Sequence, residues 1–239
     1  MNLDYIRENT ERIQKRIREA ELKAGRPEGS VQMIAAVKYA QPEELTALCL
    51  ETGVKDLGEN RVQQLLAHYE ALEHPERLRW HFIGSLQTNK VKYIIDKVCM
   101  IHSLDSLKLA AEIEKQAGKH GIVMDVLVEI NSGEEESKGG LYPSEVTEFC
   151  ESLGQYPHLN HRGFMTMAPK CTEKSDYLKY FQQTYQQVLD IWTKKLHNIG
   201  RPILSMGMSE SFEEAIACGS DMVRVGRALF VKESEGSQK

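Results

Sequence analysis

The stretch MIAAVKYAQPEELTALCLETGVKDLG, residues 33–58, decides the fold. It begins with the apolar run Met33–Val37, continues through the amphipathic segment Pro42–Thr52, and ends with a second short run, Asp56–Gly58. Two strand-length runs on either side of a helical pattern are typical of a β-α-β unit with parallel strands. The stretch therefore predicts a parallel sheet with helices packed against it.

The same alternation continues along the whole chain. Eight short apolar runs predict strands at Met33–Val37, Asp56–Gly58, Trp80–Ile83, Val98–Ile101, Val123–Ile130, Leu159–Phe164, Ile203–Leu204 and Met222–Val225. Helical patterns between them lie at Pro42–Thr52, Arg61–Leu72, Ser106–Gly118, Ser144–Leu153, Lys174–Leu196 and Glu210–Cys218. Eight such units fit a closed (β/α)8 barrel better than an open sheet.

The length of the chain suits a single domain. Barrels of this type commonly have roughly 250 residues, and this chain has 239. Ile6, Ile13 and Ile17 recur at helical spacing within residues 3–24, which predicts an added N-terminal helix. We expect residues 1–231 to form one barrel domain and residues 232–239 to form a disordered tail.

The composition argues against several classes of protein. The chain has 30 Lys and Arg against 35 Asp and Glu, a net charge of -5, without long blocks of one sign. This balance gives no electrostatic surface for nucleic acid or an anionic membrane. The charged N-terminus lacks the apolar run of a signal peptide or a membrane span. The five scattered cysteines favour a reducing, cytoplasmic location.

Lys38 directly follows the first apolar run, at the end of a strand where barrel enzymes build their active sites. A poorly solvated lysine amine there would favour its neutral form, which attacks aldehydes. Lys38 is therefore a candidate for a Schiff base. The alternative, which is the more frequent arrangement, is a lysine whose stem packs on the barrel rim while its ammonium group reaches water.

Two glycine-containing loops, residues 204–209 and 223–228, follow the last two predicted strands. Phosphate sites in barrels are frequently built from these two loops, and hydroxyls beside the first amides of a helix bind anions. A serine cap with a glycine turn would explain the first loop without a ligand. The candidate residues are Ser205, Gly207, Ser209, Arg224, Gly226 and Arg227. Arg224 could reach a cofactor ring or its phosphate, and Arg227 could equally form a surface salt bridge.

Three other residues in or near these strands are weaker indicators of a binding site. Asn60 follows the second predicted strand. Met165 belongs to a group of methionines that suits apolar packing, here against a cofactor ring. His81 lies inside a predicted strand, where a histidine is more often a core residue than a base.

Six blocks of the sequence together resemble the signature of the pyridoxal phosphate homeostasis proteins. They are Ala35–Lys38, Leu57–Gln63, His81–Lys90, Gly163–Pro169, Leu204–Ser209 and Val223–Phe230, and they come in the family's order. One short block could arise by chance. Six in order, over most of the chain, make the resemblance specific.

The resemblance implies a TIM barrel of the alanine racemase N-terminal-domain type that holds pyridoxal 5′-phosphate (PLP) as an internal aldimine on Lys38. It implies no catalytic turnover but a role in carrying, buffering or delivering PLP, with PLP-dependent apo-enzymes as partners. By position, Asn60 would lie near the pyridine ring and Arg224 would face the ring nitrogen or the phosphate. The phosphate would be held by Ser205, Gly207, Ser209, Gly226 and Arg227. We expect a monomer, with a dimer as the alternative.

Two segments, Tyr39–Pro42 and Asn131–Gly140, depart from the family's pattern. Both bear on the rim of the pocket, so they affect partner or substrate contacts more than cofactor binding.

Three other functions remain open from the sequence. A PLP-dependent racemase or decarboxylase would need a second acid or base opposite the lysine, which alanine racemases take from a separate β domain. Only nine residues follow Phe230, so we expect any such activity to be weak. A lysine aldolase without PLP would be colourless when purified. A pure interaction protein would leave the polar residues at the strand ends unexplained.

Overall fold

The computed structural model describes residues 3–136, 138–195 and 200–232. Its eight parallel strands form a closed barrel in chain order, because the last strand pairs with the first. They are β1 (Gln32–Ala36), β2 (Asp56–Glu59), β3 (Arg79–Phe82), β4 (Met100–Leu104), β5 (Met124–Ile130), β6 (Leu159–Thr166), β7 (Ile203–Met208) and β8 (Met222–Val225). The predicted (β/α)8 barrel is confirmed.

Helices cover the outside of the barrel. They are α1 (Asp4–Lys23), α2 (Pro42–Thr52), α3 (Val62–Ala71), α4 (Leu107–His120), α5 (Val146–Ser152), α6 (Lys174–Lys195), α7 (Phe212–Ala217) and α8 (Arg227–Phe230). The connection between β3 and β4 carries a 3-10 turn, Thr88–Tyr93, instead of an α-helix. α8 has only four residues, and the added N-terminal helix α1 packs against α2, α7 and α8. α1 therefore takes the place of a long eighth outer helix.

α1 also joins the beginning of the chain to the last strand and helix. Its apolar face, which includes Ile6 and Ile13, is buried against the barrel. The side-chain amide of Asn9 donates hydrogen bonds to the carbonyl oxygens of Leu229, at 3.2 Å, and Val231, at 2.9 Å. The helix thus fixes the segment that follows β8.

Four strands end later than the sequence predicts: β2 by one residue, β6 by two, β4 by three and β7 by four. The predicted run is Val98–Ile101, whereas β4 spans Met100–Leu104. The second half of β4 escapes a hydropathy pattern because His102 is polar, although it is fully buried. β7 likewise continues past the predicted end at Leu204, because Ser205 is also fully buried.

Some predictions fall partly on residues without a described structure. The predicted tail, residues 232–239, lies outside the described residues except for Lys232, and so does Leu196 at the predicted end of the sixth helix. Within the described ranges, no helix is long and apolar enough to cross a membrane. The same ranges contain no group of three or more side chains placed to hold a metal ion.

Side chains from alternate strand positions fill the barrel interior in layers. One apolar layer consists of Ile34, Met100, Leu127, Met165 and Met222. Three polar side chains come two residues after members of this layer on the same strands: His102, Glu129 and Arg224. Because side chains along a strand alternate between its two faces, these three lie on the same inward face, one layer nearer the carboxyl ends. The interior therefore changes from this apolar layer to a polar layer towards the mouth of the barrel.

Candidate functional site

All the predicted site residues except Met165 lie in one sector of the barrel, at the carboxyl ends of the strands. Lys38 follows β1, Asn60 follows β2, and residues 205–209 and 224–227 belong to the ends of β7 and β8 and the loops after them. These four strands are consecutive neighbours in the closed sheet. Active sites of this fold lie on this face, and the order of the strands brings these candidates together there.

Lys38 lies two residues beyond the end of β1, in the open mouth of the barrel. Val37 beneath it is buried and donates its N–H to the carbonyl oxygen of Gly58 at 3.0 Å. The side chain of Lys38 is exposed, and its Nζ lies 4.9 Å from the centroid of the Tyr39 ring. The expectation of a poorly solvated lysine is therefore wrong, because the packed interior ends below it. The amine is accessible to any ligand that enters the mouth.

Tyr39, in a segment that departs from the family's pattern, lies between two cations. Hydrogen bonding to Lys38 lowers the pKa of Tyr39, and Arg227 contributes in the same direction. Tyr39 itself is exposed. Its phenol therefore brings the loop after β1 close to the loop after β8.

Gly207, in β7, is required by the packing of β7 against α7. Its φ is +88°, in a region that residues with a side chain rarely adopt. A Cβ at this position would lie 2.6 Å from the Cβ of Ala215 and 2.9 Å from the Cα of Phe212. The end of β7 therefore approaches α7 so closely that glycine is needed to hold the loop in place.

The loops after β7 and β8 contact each other directly. The hydroxyl oxygen of Ser209 accepts a hydrogen bond from the N–H of Gly226 at 3.3 Å. Ser209 is not the cap of α7, which begins at Phe212, so the explanation of this serine as a helix cap is wrong. Arg227, directly after Gly226, is exposed and forms a long ion pair of 3.8 Å with Glu210.

Arg224 is buried inside the barrel, with 4% of its surface exposed. Its Nη1 donates to the carbonyl oxygen of Ser205 at 2.8 Å and to the hydroxyl oxygen of Ser205 at 2.6 Å. Its Nη2 donates to the carbonyl oxygen of Thr166 at 2.9 Å. Burial lowers the pKa of Arg224 to about 10, and the charge of Glu129 counteracts part of this shift. The fully buried Ser205 therefore holds Arg224 in the interior, apart from Ser209 in the loop above.

Asn60 has a fixed backbone and an unused side-chain acceptor. Its N–H donates to Glu59 Oε2 at 3.1 Å, and the other oxygen of this carboxylate lies 2.7 Å from His68 Nδ1. A Cβ on Gly84 would lie 2.3 Å from the Asn60 carbonyl oxygen, so this loop packs tightly. Within the described part of the chain, Asn60 Oδ1 is buried and has no hydrogen-bond partner. A buried unpaired acceptor costs about 1–3 kcal/mol, which a donor from a ligand would relieve.

Met165 lies deeper than the other predicted residues. It is almost fully buried and packs with Met100 and Met222 in the apolar layer of the interior. It therefore supports the floor of the site from below. Met208, at the end of β7, is instead exposed at the level of the loops.

Two carboxylates, Asp105 and Glu129, face the same interior but were not among the predicted site residues. Gly139 packs over both, because a Cβ there would lie 3.7 Å from an oxygen of each. Burial and the charge of Asp105 together raise the pKa of Glu129 to about 7, against the opposing charge of Arg224. The signal in the sequence is the two-residue spacing from Leu127, which places Glu129 on the inward face of an apolar strand.

Comparison with known proteins agrees with this geometry. The family model described as the alanine racemase N-terminal domain matches residues 1–234. The pyridoxal phosphate homeostasis protein of Aquifex aeolicus is 43% identical over 223 residues, which cover 93% of this chain and 96% of that protein. The chain belongs to the pyridoxal phosphate homeostasis protein family. The family member of Escherichia coli K12 is 31% identical, with coverage of 95% of this chain and 97% of its own.

Solved structures support the same family. PipY of Synechococcus elongatus, solved with PLP bound, has a TM-score of 0.78 at 29% identity and covers 92% of this chain and 100% of its own. A protein from Bifidobacterium adolescentis has a TM-score of 0.85 at 33% identity, with 95% of each chain covered. Alanine racemase of Clostridium difficile is 19% identical, with a TM-score of 0.74 over 98% of this chain and 58% of that one. At this identity the racemase shows the fold alone, which confirms the predicted barrel type.

Proposed function

We propose that this protein binds PLP through Lys38 and serves PLP homeostasis, by carrying, buffering or delivering the cofactor without turning over a substrate. The supporting observation is an accessible lysine amine beside two loops joined by Ser209 and Gly226, in a chain 43% identical to a pyridoxal phosphate homeostasis protein. PLP supplies an aldehyde that condenses with a primary amine, and a phosphate that backbone amides and cations can bind.

The residues in the mouth of the barrel fit such a cofactor. Lys38 would hold it covalently through Nζ, and the unpaired Oδ1 of Asn60 would gain a partner from a group beside the ring. The phosphate would lie against Gly207, Ser209 and Gly226. Arg227 would supply the cationic contact, since its present ion pair with Glu210 is long and exposed.

Arg224 would face the ring nitrogen from inside the barrel, with Ser205 behind it and Met165 below. A guanidinium group has donors only, so it would donate a hydrogen bond to that nitrogen and leave it unprotonated. Arginine is one of the ring-nitrogen partners that PLP-binding sites use. The arrangement therefore supports binding of the cofactor in this orientation.

The direct test locates the bound cofactor chemically. Loading the protein with PLP, reducing it with borohydride and digesting it should yield one modified peptide, with the added mass on Lys38. Lys92 offers a matched control, because its Nζ also lies 4.9 Å from the centroid of the following tyrosine ring, that of Tyr93, and its side chain is also exposed. Lys38→Ala should lose the modification and Lys92→Ala should keep it. Covalent PLP on a Lys38→Ala protein would refute the assignment.

Weak amino-acid racemisation is a second candidate, which Glu129 favours because a pKa of about 7 suits a general base. We expect the PLP-loaded protein to interconvert L- and D-alanine no faster than free PLP at the same concentration. Chiral chromatography of the product measures this. Steady turnover that disappears in Lys38→Ala would replace the homeostasis proposal with a racemase.

The proposed partners are PLP-dependent apo-enzymes in the cytoplasm. PLP-loaded protein should restore the activity of an apo-enzyme even when a phosphatase destroys free PLP. Restoration at the rate seen without the phosphatase would indicate direct transfer. Loss of restoration would limit the role to buffering free PLP.

A further inference from the structure

Five polar side chains form a continuous chain of hydrogen bonds through the middle of the barrel. Each comes from a different strand: Asp56 from β2, His81 from β3, His102 from β4, Ser205 from β7 and Arg224 from β8. All five are buried. Because buried polar groups are costly unless they are paired, their alignment calls for a physical explanation.

The hydrogen-bond distances show that this chain of side chains is continuous. His81 Nε2 lies 3.1 Å from Asp56 Oδ1, and His81 Nδ1 lies 3.0 Å from His102 Nε2. His102 Nδ1 lies 3.1 Å from Ser205 Oγ, which accepts a hydrogen bond from Arg224 Nη1 at 2.6 Å. The chain therefore connects the guanidinium group near the barrel mouth to a carboxylate at the opposite end.

Asp56 is firmly held at that opposite end. Its Oδ1 accepts hydrogen bonds from Arg79 Nε and from Gln32 Nε2, each at 2.6 Å. Burial alone would raise the pKa of Asp56, but the hydrogen bonds from His81 and Arg79 outweigh it and lower the pKa. Asp56 is therefore ionised near neutral pH and can only accept hydrogen bonds.

When each imidazole ring carries one proton, the two ends fix the direction of every hydrogen bond between them. Arg224 can only donate and ionised Asp56 can only accept. With one proton on each ring, at Nε2, His81 donates to Asp56 and His102 donates to His81. The free Nδ1 of His102 then accepts the hydroxyl proton of Ser205, whose oxygen is left to accept from Arg224.

A neutral His102 is consistent with its surroundings. Burial lowers the pKa of His102 well below its usual value, and the charge of Arg224, like any second proton on His81, acts in the same direction. Protonated His102 would instead donate to Ser205 Oγ, which already accepts from Arg224. The hydroxyl proton would then have to leave the chain.

We propose that His102 and Ser205 are positioning residues for Arg224, and that this one-directional chain locks its guanidinium group in the orientation that meets the ring nitrogen of PLP. The identity of the ligand rests on the proposed function, whereas the chain itself does not. Without His102, the Ser205 hydroxyl loses the acceptor that fixes the position of its proton. The direction in which its oxygen accepts from the charged guanidinium group is then no longer fixed.

The first experiment needs neither a variant nor PLP. Long-range 1H–15N NMR of the apo-protein, labelled with 15N-histidine, reports which ring nitrogen carries the proton. At neutral pH both His81 and His102 should be neutral and protonated at Nε2. A charged His102, or a proton on Nδ1 of either neutral ring, would overturn the proposal.

The second experiment distinguishes the hydrogen-bonding position of the His102 ring nitrogens from the size of the side chain. The amide of asparagine occupies the place of Nδ1 and still reaches Ser205, whereas the longer glutamine places its amide near Nε2 and reaches His81. We expect His102→Gln to bind PLP about tenfold more weakly, the effect of one hydrogen bond, and to shift the visible absorption of the bound cofactor. His102→Asn should stay within about threefold of the parent protein. Equal losses in both variants, or no loss in His102→Gln, would overturn the proposal.

His161 provides the control for removing an imidazole from a strand. It is partly buried, its Nε2 lies 3.0 Å from the carbonyl oxygen of Gly163, and it does not belong to the hydrogen-bond chain. His161→Gln should leave PLP affinity and absorption unchanged, and a change equal to that of His102→Gln would count against the chain. If His102→Gln does not fold, the NMR result decides. If both histidine rings carry their protons at Nε2 but the protein binds no PLP, only the proposed function is refuted. If the rings have other protonation states but PLP binds at Lys38, only the hydrogen-bond chain is refuted.

Discussion

Arg224 places a guanidinium group where an unpaired charge would cost several kcal/mol. Its hydrogen bonds to Ser205 and Thr166 and the carboxylate of Glu129 offset that cost. The same hydrogen bonds hold the guanidinium group in one orientation, so its remaining N–H donors point in a fixed direction. Under the proposed function, stability and ligand recognition therefore depend on the same side chain.

Removing the guanidinium group should reveal this double role. Arg224→Met keeps most of the volume but leaves two carbonyl oxygens and a buried carboxylate without their partner. We expect the free energy of unfolding to fall by about 3 kcal/mol, as measured by urea denaturation, and PLP affinity to fall as well. Arg227→Met, at an exposed position, should change stability by less than about 0.5 kcal/mol. Similar stability losses in the two variants would contradict the interior role of Arg224.

Glu129 should make stability depend on pH in an unusual direction. Its pKa rises from 4.5 in the unfolded chain to about 7 in the folded protein, so the folded state binds a proton more tightly. The stability that this provides is complete below about pH 4.5 and is lost as the pH rises through 7. The free energy of unfolding relative to Glu129→Gln should therefore decrease by about 2 kcal/mol between pH 5 and pH 8.

Urea denaturation of both proteins at the two pH values measures this difference. Glu148→Gln, which changes an exposed carboxylate on α5, is the control and should give no such trend. A constant difference between the parent protein and Glu129→Gln would show that Glu129 is ionised in the folded state throughout this range.

At the scale of elements, β7 and α7 form one packed unit through Gly207. Gly207→Ala introduces a Cβ only 2.6 Å from Ala215 Cβ, at a φ of +88°. α7 must move outwards, which also separates the loop that carries Ser209 from Gly226. We expect a loss of about 2–3 kcal/mol in the free energy of unfolding together with weaker binding of PLP. Gly154→Ala, where a Cβ would meet nothing within 4 Å, is the control, and an equal effect there would remove the packing argument.

The order and type of the elements follow from the sequence because apolar runs and amphipathic segments alternate regularly. The polar interior does not follow in the same way. Glu129 and His102 lie in buried strands, and an average over hydropathy cannot distinguish an inward polar residue from the end of a strand. The error at Lys38 is the opposite one, because the apolar run before it suggests a buried side chain. A position after such a run does not show whether the next side chain lies within the packed layer or above it. The order of the strands then brings the loops of β7, β8, β1 and β2 together, as predicted.

At the scale of the whole molecule, the most exposed apolar side chains lie on different elements. Leu22 is near the end of α1, Leu50 is in α2, and Val123 precedes β5. Isolated apolar side chains on a surface are normal and do not indicate an interface. We expect a monomer of 27.2 kDa in sedimentation velocity at micromolar concentration. A dimer that persists on dilution would refute this and would direct attention to the surface it covers.

The pairing of β1 with β8 also has a consequence for synthesis of the protein. Residue 32 pairs with residue 222, and Asn9 bonds to Leu229 and Val231, so the barrel cannot close until almost the entire polypeptide has left the ribosome. At about 5–20 residues per second, the first strands wait on the order of ten seconds or more with a free edge, which invites aggregation. The nascent chain is therefore the form of this protein most in need of a chaperone.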